Sequence, residues 1–450
     1  MLLTCTLLFG QDRIGLVLSG GGATGMAHIG VLKALEEKGV PIHYITGTSA
    51  GALIGSMYAA GYSPEEMERI VSSPSFQLMS NGKLEENQQF AYRKPEDHAS
   101  ILSFGINFDN HFTKSLPTYY RNSAYIDFTL MNLLSPASAA AGNNYDSLFI
   151  PFRCVASNIE EKKSVIFSKG YLNQSVRASM TYPFYYPALE IDGKLYFDGG
   201  LYDNFPSKVL YNEFVPDYII GSNVSSNVEA PKSDDFLSQI SNMLTFQSDF
   251  TIPCEHSVMI EPQIPYSTFD FAHVKTIIQM GYQQALPYAD SIARSLEKLI
   301  TKEELAAKRQ AFKNKWTEMN FSKVEAQSQK EKAIRFAESS ILPGRHKTTI
   351  NFKQMERRYF RLNATQQIES LYPTLDLNPD STYTMKLKLQ TAKEFRIEAG
   401  GFFSTRSVNT GYLGFSYGKI GRVGHTALVN TYFGKFYTSG KAEYKMDIPS

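Results

Sequence analysis

The sequence predicts an α/β fold, because two glycine-rich turns near its start each follow a short apolar run. Gly20–Gly25 (Gly-Gly-Gly-Ala-Thr-Gly) follows Ile14–Leu18, and Gly47–Gly51 (Gly-Thr-Ser-Ala-Gly) follows Ile42–Ile45. After each turn, apolar or small residues recur at helical spacing, which predicts helices over Met26–Lys38 and Ala50–Ala60. A strand, a sharp turn and a helix, found twice in succession, are typical of a sheet covered by helices.

The second turn places a serine on a sharp bend. In Gly-x-Ser-x-Gly, Gly47 and Gly51 have no Cβ, so the chain can turn tightly and leave the Ser49 hydroxyl exposed. This is the arrangement of a nucleophile elbow. The motif is short, and a tight structural turn is the alternative interpretation.

The first turn offers backbone N–H groups at the start of a helix, where an oxyanion or a phosphate is stabilised. Gly20, Gly21 and Gly22 would supply these donors, with Gly25 completing the motif. A dinucleotide site would instead need an acidic residue at the end of the next strand, about twenty residues on. That strand runs into Thr46–Ser49, so the dinucleotide interpretation is rejected. A serine nucleophile and oxyanion donors are the parts that acyl transfer requires.

A group that activates Ser49 is found among the carboxylates. The sequence predicts a hairpin of Leu189–Ile191 and Lys194–Phe197, joined by a type I′ turn, whose second strand delivers Asp198 to Gly199 and Gly200. A turn-forming aspartate is the alternative. None of the eight histidines lies in a recognisable signature: His28, His43, His98, His111, His256, His273, His346 and His425.

Composition narrows the partners and the compartment. Lys and Arg number 45 and Asp and Glu 44, and the net charge of +1 gives no argument for nucleic-acid binding. Residues 1–11 are apolar and resemble a truncated signal peptide, with a truncated first strand as the alternative. No apolar run of 18 residues predicts a transmembrane helix. Export would permit a disulfide between Cys154 and Cys254, and two free thiols are equally compatible with the sequence.

Three later segments differ in character from the first part of the chain. Residues 76–148 lack the strand–helix rhythm and predict a lid. Its aromatic residues would line an acyl-chain pocket, form a membrane-contacting surface or pack between helices. Thr301–Lys332 is highly charged and predicts a solvated helix and linker. Strand and helix patterns then alternate, ending in a half-buried strand over Thr382–Gln390. The lid aromatics are Phe104, Phe108, Phe112, Tyr119, Tyr120, Tyr125 and Phe128.

The last stretch alternates apolar and polar residues strictly. Ala442, Tyr444 and Met446 alternate with lysines and glutamates, and similar patterns surround Phe395 and Phe415. Strands of about ten residues with one apolar face are typical of outer-membrane barrels, although a soluble antiparallel sheet alternates in the same way. A barrel needs about eight strands, and about five fit here, so we expect only the first part of one.

The motifs, taken together, resemble the patatin-like phospholipase family. The resemblance rests on Gly20–Gly25, Gly47–Gly51 and Asp198–Gly200, with support from Ala178–Pro183 and Asn204–Pro206. It implies a three-layer α/β/α fold over residues 12–300 and a Ser–Asp dyad with no metal or organic cofactor. Carried over by position, the dyad and oxyanion residues are Ser49 as nucleophile, Asp198 as general base, and Gly20, Gly21 and Gly22 as donors.

The resemblance also has a departure. The family usually has Arg or Lys where this chain has Thr24, which puts a preference for charged phospholipids in doubt. The aromatic residues Tyr182, Phe184, Tyr185 and Tyr186 are a candidate apolar environment for raising the basicity of Asp198.

Beyond the hydrolase segment, residues 301–392 resemble a POTRA-type module of α+β class, and 393–450 resemble the first strands of a barrel. This order is similar to bacterial outer-membrane patatins of the surface-antigen type. We therefore expect an exported lipid acyl hydrolase at the outer membrane, facing the periplasm or the cell surface, with membrane lipid as substrate. A catalytically weak passenger of a translocation or assembly protein is one alternative. A Ser–His enzyme using His256 or His273 on peptides or small esters is another.

Overall fold

The computed structural model describes residues 13–80, 82–83, 98–106, 122–227, 233–234, 239, 242–342, 349–402 and 409–449. They form two compact units: the first spans the described residues of 1–80, 132–183 and 188–316, and the second those of 81–131, 184–187 and 317–450. The predicted signal segment 1–11 and the lid residues Phe108, Phe112, Tyr119 and Tyr120 lie outside the described residues.

The strands are β1 (Ile14–Leu18), β2 (Tyr44–Thr48), β3 (Ser100–Ile106), β4 (Phe152–Asn158), β5 (Lys163–Phe167), β6 (Leu189–Ile191), β7 (Lys194–Asp198), β8 (Tyr218–Ser222), β9 (Ser257–Ile260), β10 (Asn320–Gln327), β11 (Ile350–Asn351), β12 (Ile368–Leu377), β13 (Tyr383–Thr391), β14 (Phe395–Phe402), β15 (Thr410–Ile420), β16 (Gly424–Gly434) and β17 (Thr438–Asp447).

The α-helices are α1 (Ala27–Glu37), α2 (Ala50–Ala59), α3 (Pro64–Val71), α4 (Pro74–Ser80), α5 (Ala124–Ala140), α6 (Leu172–Ser179), α7 (Ser207–Phe214), α8 (Val274–Ser295), α9 (Lys302–Lys313), α10 (Glu331–Ile341) and α11 (Phe352–Asn363). In the described parts of the chain, no helix combines the length and the apolar character needed to cross a membrane.

The first unit is built on an eight-stranded mixed sheet in the order β6-β7-β4-β2-β1-β8-β9, with β5 added beside β4. The strands β4, β2, β1, β8 and β9 run parallel. All five residues of β1 are buried, as expected for a parallel strand covered on both faces. Gly15 and Val17 face α7, and Leu18, on the opposite face, lies against α2. Helices therefore cover both faces, which confirms the predicted α/β class and its three layers.

The hairpin that delivers Asp198 has the predicted form. β6 and β7 pair with Ile191 opposite Lys194, and the two residues between them, Asp192 and Gly193, have φ of 49° and 78°. Positive φ at both central positions is the requirement of a type I′ turn. β7 then pairs with β4, which brings Asp198 opposite Ala156.

Glycines allow two helices of this unit to approach at backbone distance. A Cβ on Gly30 of α1 would lie 2.1 Å from the Ile278 carbonyl oxygen of α8. A Cβ on Gly281 of α8 would lie 2.3 Å from the Ala27 carbonyl oxygen. No side chain could yield at such a contact, since both obstructing atoms belong to the backbone. The packing of α8 on α1 thus depends on these two glycines.

The segment predicted as a solvated helix and linker begins with a helix, α9, that has one buried stripe. In α9, Leu305, Arg309 and Phe312 are buried, and the Arg309 guanidinium donates to the Glu36 carboxylate at 2.5 Å. A helix with one buried stripe has charged residues on its other face, so a high charge content alone does not distinguish it from a linker. The helix was thus predicted, and the burial of its stripe was not.

The second unit contains a four-stranded sheet in the order β11-β10-β13-β12, with α10 and α11 between its strands in the chain. The strands β10 and β13 run parallel, and β12 is antiparallel to β13. The predicted strand over Thr382–Gln390 corresponds to β13. β12 was not predicted; it contains Pro373, which a strand tolerates at the edge of a sheet.

A second, antiparallel sheet has the order β17-β16-β15-β14-β3 and is open among the described residues. β3 comes from the segment predicted as a lid, and Phe104 lies opposite Ile397 of β14. The register continues through Phe415 to Val429, so one face carries an apolar row. Phe415 is 52% exposed and Val429 54%.

Two other lid aromatics have a packing role in this unit. The Phe128 ring lies 4.7 Å from the Tyr359 ring and 5.2 Å from the Phe360 ring, and Tyr125 packs edge-on against Phe360. For Tyr125 and Phe128, packing between helices is therefore the interpretation that the structure supports.

Candidate active site

Ser49 is the single residue between the end of β2 and the start of α2, and its backbone conformation is strained. Its φ is 53° and its ψ is −119°, a region that non-glycine residues rarely adopt. Two of the motif glycines permit this turn. A Cβ on Gly47 would lie 2.4 Å from the Gly51 carbonyl oxygen, and a Cβ on Gly51 would lie 2.3 Å from the Leu18 carbonyl oxygen.

A serine that sequence reasoning missed braces the bend. The Ser49 N–H donates to the Ser179 hydroxyl at 2.8 Å, and this hydroxyl donates to the Val155 carbonyl at 2.5 Å. Ser179 is fully buried at the end of α6. The strained elbow is therefore tied to the central strand β4 through one side chain. The motif around Ser179 was noticed in the sequence, but a bond to Ser49 leaves no local signal.

Asp198 meets Ser49 directly. The Ser49 hydroxyl donates to Asp198 Oδ2 at 2.7 Å, and the Gly200 N–H donates to Asp198 Oδ1 at 2.8 Å. Two permissive glycines follow the carboxylate: a Cβ on Gly199 would lie 2.3 Å from the Val155 carbonyl oxygen. Asp198 is 7% exposed, and burial raises its pKa to about 6, against the lowering effect of its hydrogen bonds with Ser49 and Gly200.

Of the four aromatic residues suggested as the environment of Asp198, Tyr182 lies in the same unit. The Tyr182 side chain is 45% exposed and packs edge-on against the Phe269 ring, while the Thr181 carbonyl accepts the Asp198 N–H at 2.8 Å. Phe184, Tyr185 and Tyr186 belong to the second unit. Asp198 itself lies at the end of β7, where it pairs with Ala156 of β4.

The glycine loop passes beside the elbow. A Cβ on Gly20 would lie 3.2 Å from the Ser49 Cβ, and a Cβ on Gly25 would lie 2.4 Å from the Ala50 Cβ. The Gly20 N–H donates to the Asn204 carbonyl at 3.1 Å, so it is not available to an oxyanion in this structure. The predicted set of three donors is thereby corrected to two. Gly21 and Gly22 have no hydrogen-bond acceptor for their N–H groups among the described residues.

The histidines serve other contacts. His28 is fully buried: its Nε2 lies 3.0 Å from the Ser19 carbonyl and its Nδ1 2.8 Å from the Ser222 hydroxyl. Burial lowers the pKa of His28 to about 4, so the ring is neutral, with Nε2–H donating to Ser19 and Nδ1 accepting from Ser222. His273 is paired with Asp270 at 2.9 Å. The hydrogen bond of the Ser49 hydroxyl goes to a carboxylate, which argues against the Ser–His alternative.

The two described cysteines are not bonded to each other, and the described residues hold no cluster of metal-binding side chains. Cys154 and Cys254 are free thiols, with Cys154 buried. Within the described ranges of the chain, no three His, Cys, Asp or Glu side chains cluster in a way that could hold a metal ion.

A buried carboxylate is bonded to a serine on a strained elbow, beside a loop in which two N–H groups meet no acceptor among the described residues. These are the parts that acyl transfer by a serine requires. Residues 16–211 match the sequence model of the patatin-like phospholipase family. Residues 16–211 therefore form a patatin-like phospholipase domain.

Three relatives illustrate the similarity of the chain to named proteins. Lysophospholipase NTE1 of Mycosarcoma maydis is 32% identical over 197 residues, which are 44% of this chain and 9% of that protein. Lysophospholipase NTE1 of Phaeosphaeria nodorum is 28% identical over 301 residues, 60% of this chain and 18% of that protein. A patatin-like phospholipase domain-containing protein of Caenorhabditis elegans is 32% identical over 203 residues, 45% of this chain and 13% of that protein. The chain thus spans less than a fifth of the length of these relatives.

Among solved structures, VipD from Legionella pneumophila aligns with 63% of this chain and 67% of that chain, with a TM-score of 0.33 and 12% identity.

Proposed function

We propose that this chain hydrolyses carboxylic esters of membrane lipids through a dyad of Ser49 and Asp198. The observation that carries the proposal is the 2.7 Å hydrogen bond from the Ser49 hydroxyl to Asp198 Oδ2. The direction of this bond is the one that proton abstraction needs, since the hydroxyl proton already points at the carboxylate. A carboxylate whose pKa lies near 6 is also a stronger base than an exposed aspartate.

In the first half of the reaction, Ser49 Oγ attacks the ester carbonyl carbon and its proton passes to Asp198. The carbonyl oxygen becomes an oxyanion, which the N–H groups of Gly21 and Gly22 stabilise. The tetrahedral intermediate then collapses: the ester C–O bond breaks, and the lipid alcohol leaves with the proton from Asp198. An acyl group remains on Ser49.

In the second half, water attacks the acyl-enzyme. Asp198 takes a proton from that water, a second tetrahedral intermediate forms in the same oxyanion site, and the free fatty acid leaves as Ser49 regains its proton. Atoms and charge balance with water as the only co-reactant, so no metal or organic cofactor is needed for this route.

The names of the relatives support phospholipids or lysophospholipids as the substrate class. Two of them are called lysophospholipases. Thr24, where the family usually has a cation, gives no charged side chain at that position to pair with a phosphate headgroup. We therefore propose that the ester and its acyl chain, more than the headgroup charge, determine recognition.

A fluorophosphonate probe tests the proposal on the full chain. We expect the probe to form a covalent adduct with Ser49, identified by peptide mass spectrometry, because only an activated serine displaces its fluoride. Fatty-acid release from mixed phosphatidylcholine and lysophosphatidylcholine vesicles should fall in proportion to the labelled fraction. Folded protein that neither reacts with the probe nor releases fatty acid would reject the proposal and favour the passenger alternative.

For the second unit, we propose attachment to an outer membrane through the antiparallel sheet, preceded by a POTRA-type module in residues 301–392. The apolar row of this sheet supports the proposal, because Phe415, Val429 and Tyr444 are each more than half exposed. Contiguous exposed apolar side chains mark a surface that contacts lipid or another protein. The order of strands and helices from β10 to β13 supports the module.

A charge placed on the apolar row tests the attachment. When the chain is produced in a Gram-negative bacterium, Phe415→Lys and Val429→Lys should move most of the protein from the outer-membrane fraction to the soluble fraction, since a lysine at the lipid midplane is unfavourable by about 2–4 kcal/mol. Ser439→Lys, at an exposed position of the opposite face, serves as the matched control. Equal partitioning of all three variants with the wild type would reject the attachment.

A further inference from the structure

Side chains hold three successive peptide groups of the glycine loop by their carbonyl oxygens. The Ser19 carbonyl accepts from His28 Nε2 at 3.0 Å. The Gly20 carbonyl accepts from the Ser19 hydroxyl at 3.0 Å, and the Gly21 carbonyl accepts from the Thr24 hydroxyl at 2.9 Å. The loop therefore has its orientation set by a regular series of side-chain contacts.

Fixing a carbonyl fixes the N–H that shares its peptide plane. No peptide bond among the described residues is cis, and in a trans peptide the C=O and N–H point in opposite directions. The first peptide illustrates the consequence: His28 holds the Ser19 carbonyl, and the Gly20 N–H on the opposite side donates to Asn204.

In the next two peptides a side chain again holds the carbonyl oxygen, but the N–H on the opposite side has no acceptor among the described residues. The hydroxyl of Ser19 holds the peptide that carries the Gly21 N–H, and the hydroxyl of Thr24 holds the peptide that carries the Gly22 N–H. Neither N–H meets an acceptor among the described residues. Both N–H groups belong to the residues that directly follow Gly20 in the loop, and Gly20 lies against Ser49.

We propose that Ser19 and Thr24 are positioning residues, whose two hydroxyls aim the Gly21 and Gly22 N–H groups at the oxyanion. This inference rests on the proposed function, because it assigns the two donors to the ester oxygen. It also gives Thr24 a definite role at the position where the family usually has a cation: its hydroxyl orients a peptide dipole, and no charge is needed for that.

The surroundings of the two hydroxyls are consistent with a fixed orientation. Ser19 is fully buried and Thr24 is 7% exposed, so water does not compete freely for either hydroxyl. The Ser19 hydroxyl also accepts the Val224 N–H at 3.0 Å, and the Val224 carbonyl lies 3.4 Å from the Thr24 hydroxyl. One backbone segment after β8 thus contacts both positioning side chains.

Removal of each hydroxyl with little change of shape tests the inference. For Thr24→Val and Ser19→Ala we expect kcat on a lipid ester to fall about tenfold each, which is less than the roughly 10²–10³-fold loss from deleting a whole oxyanion donor. The double variant should lose about a hundredfold. KM should change less than twofold, because the donors act on the charge of the transition state. Thr24→Ser keeps the hydroxyl and should restore at least half of the wild-type kcat.

Two matched controls remove buried hydroxyls elsewhere in the same unit. Thr46→Val deletes a bond to the Pro206 carbonyl, and Ser56→Ala deletes a bond to the Leu53 carbonyl. We expect both to retain wild-type kcat, and thermal unfolding of all variants reports whether a loss of rate is a loss of fold.

The outcomes separate this inference from the proposed function. If the wild type is active and labels at Ser49 but folded Thr24→Val keeps its full kcat, the positioning role is rejected and the dyad stands. If Thr24→Ser is as slow as Thr24→Val, the hydroxyl is not the relevant group and the inference is again overturned. If the wild type itself neither labels nor hydrolyses lipid, the proposed function has failed first.

Discussion

Ser49→Ala should reduce lipid ester hydrolysis by about 10⁴-fold or more, because deleting a nucleophile removes the covalent route altogether. The substitution also removes the hydroxyl that donates to Asp198 and leaves that buried carboxylate with its bond from Gly200. The Ser49 N–H keeps its bond to Ser179, so the elbow itself remains braced. Fatty-acid release from vesicles, measured at saturating lipid, checks this expectation.

The control for Ser49→Ala is Ser56→Ala. Ser56 lies in α2, the helix that follows Ser49, and its buried hydroxyl donates to the Leu53 carbonyl. This variant should hydrolyse lipid and label with the fluorophosphonate as the wild type does. Residual activity above about 1% in folded Ser49→Ala would mean that another group attacks the ester. The assignment of Ser49 as nucleophile would then be abandoned.

The parts of the site that could be predicted from the sequence are those with a local signal. Gly47 and Gly51 predict the bend at Ser49, and Asp192-Gly193 predicts the turn of the hairpin that ends at Asp198. Their meeting at 2.7 Å follows from sheet order: β2 and β7 both pair with β4, so the ends of two strands far apart in the chain lie on either side of it. The sequence alone does not specify that order.

Other features depend on contacts that leave no such signal. Gly20 looks identical to Gly21 and Gly22 in sequence, but its N–H is taken by the carbonyl of Asn204, a residue 184 positions away. β3 alternates Leu102 and Phe104 with smaller residues, yet its partner β14 begins only at Phe395. Pairing over such a separation is decided by the complete fold, and local periodicity cannot reveal it.

The charge state of Asp198 gives a second test, with its own pH dependence. Burial raises the pKa of Asp198 to about 6, and a general base acts only when it is ionised. We therefore expect kcat/KM to rise with pH as one proton is lost, to reach half its maximum near pH 6, and to level off above pH 7. Asp203 complicates this assignment, because burial also raises its pKa to about 6.

Asp198→Asn separates the two carboxyls and should lower kcat by about 10³-fold or more, since an amide cannot accept the serine proton. Asp203→Asn is the matched control, and we expect it to keep both the rate and the midpoint near pH 6.

The same substitution, Asp198→Asn, should not lower the free energy of unfolding at neutral pH, although it lowers kcat. The pKa of Asp198 is about 6 in the folded protein and about 3.8 in the unfolded chain. The protonated carboxyl therefore favours the folded state below pH 3.8, this stabilisation is lost as the pH rises from 3.8 to 6, and above pH 6 the buried charge disfavours folding. Asn carries no charge to bury, so at pH 7.5 Asp198→Asn should unfold with a free energy equal to the wild type or higher by up to about 3 kcal/mol. An Asp198→Asn variant that is inactive but less stable would point to a structural loss. A loss of kcat in folded Asp203→Asn as large as that in Asp198→Asn would contradict the assignment of Asp198 as the base, and a shifted midpoint in active Asp203→Asn would assign the pH dependence to Asp203.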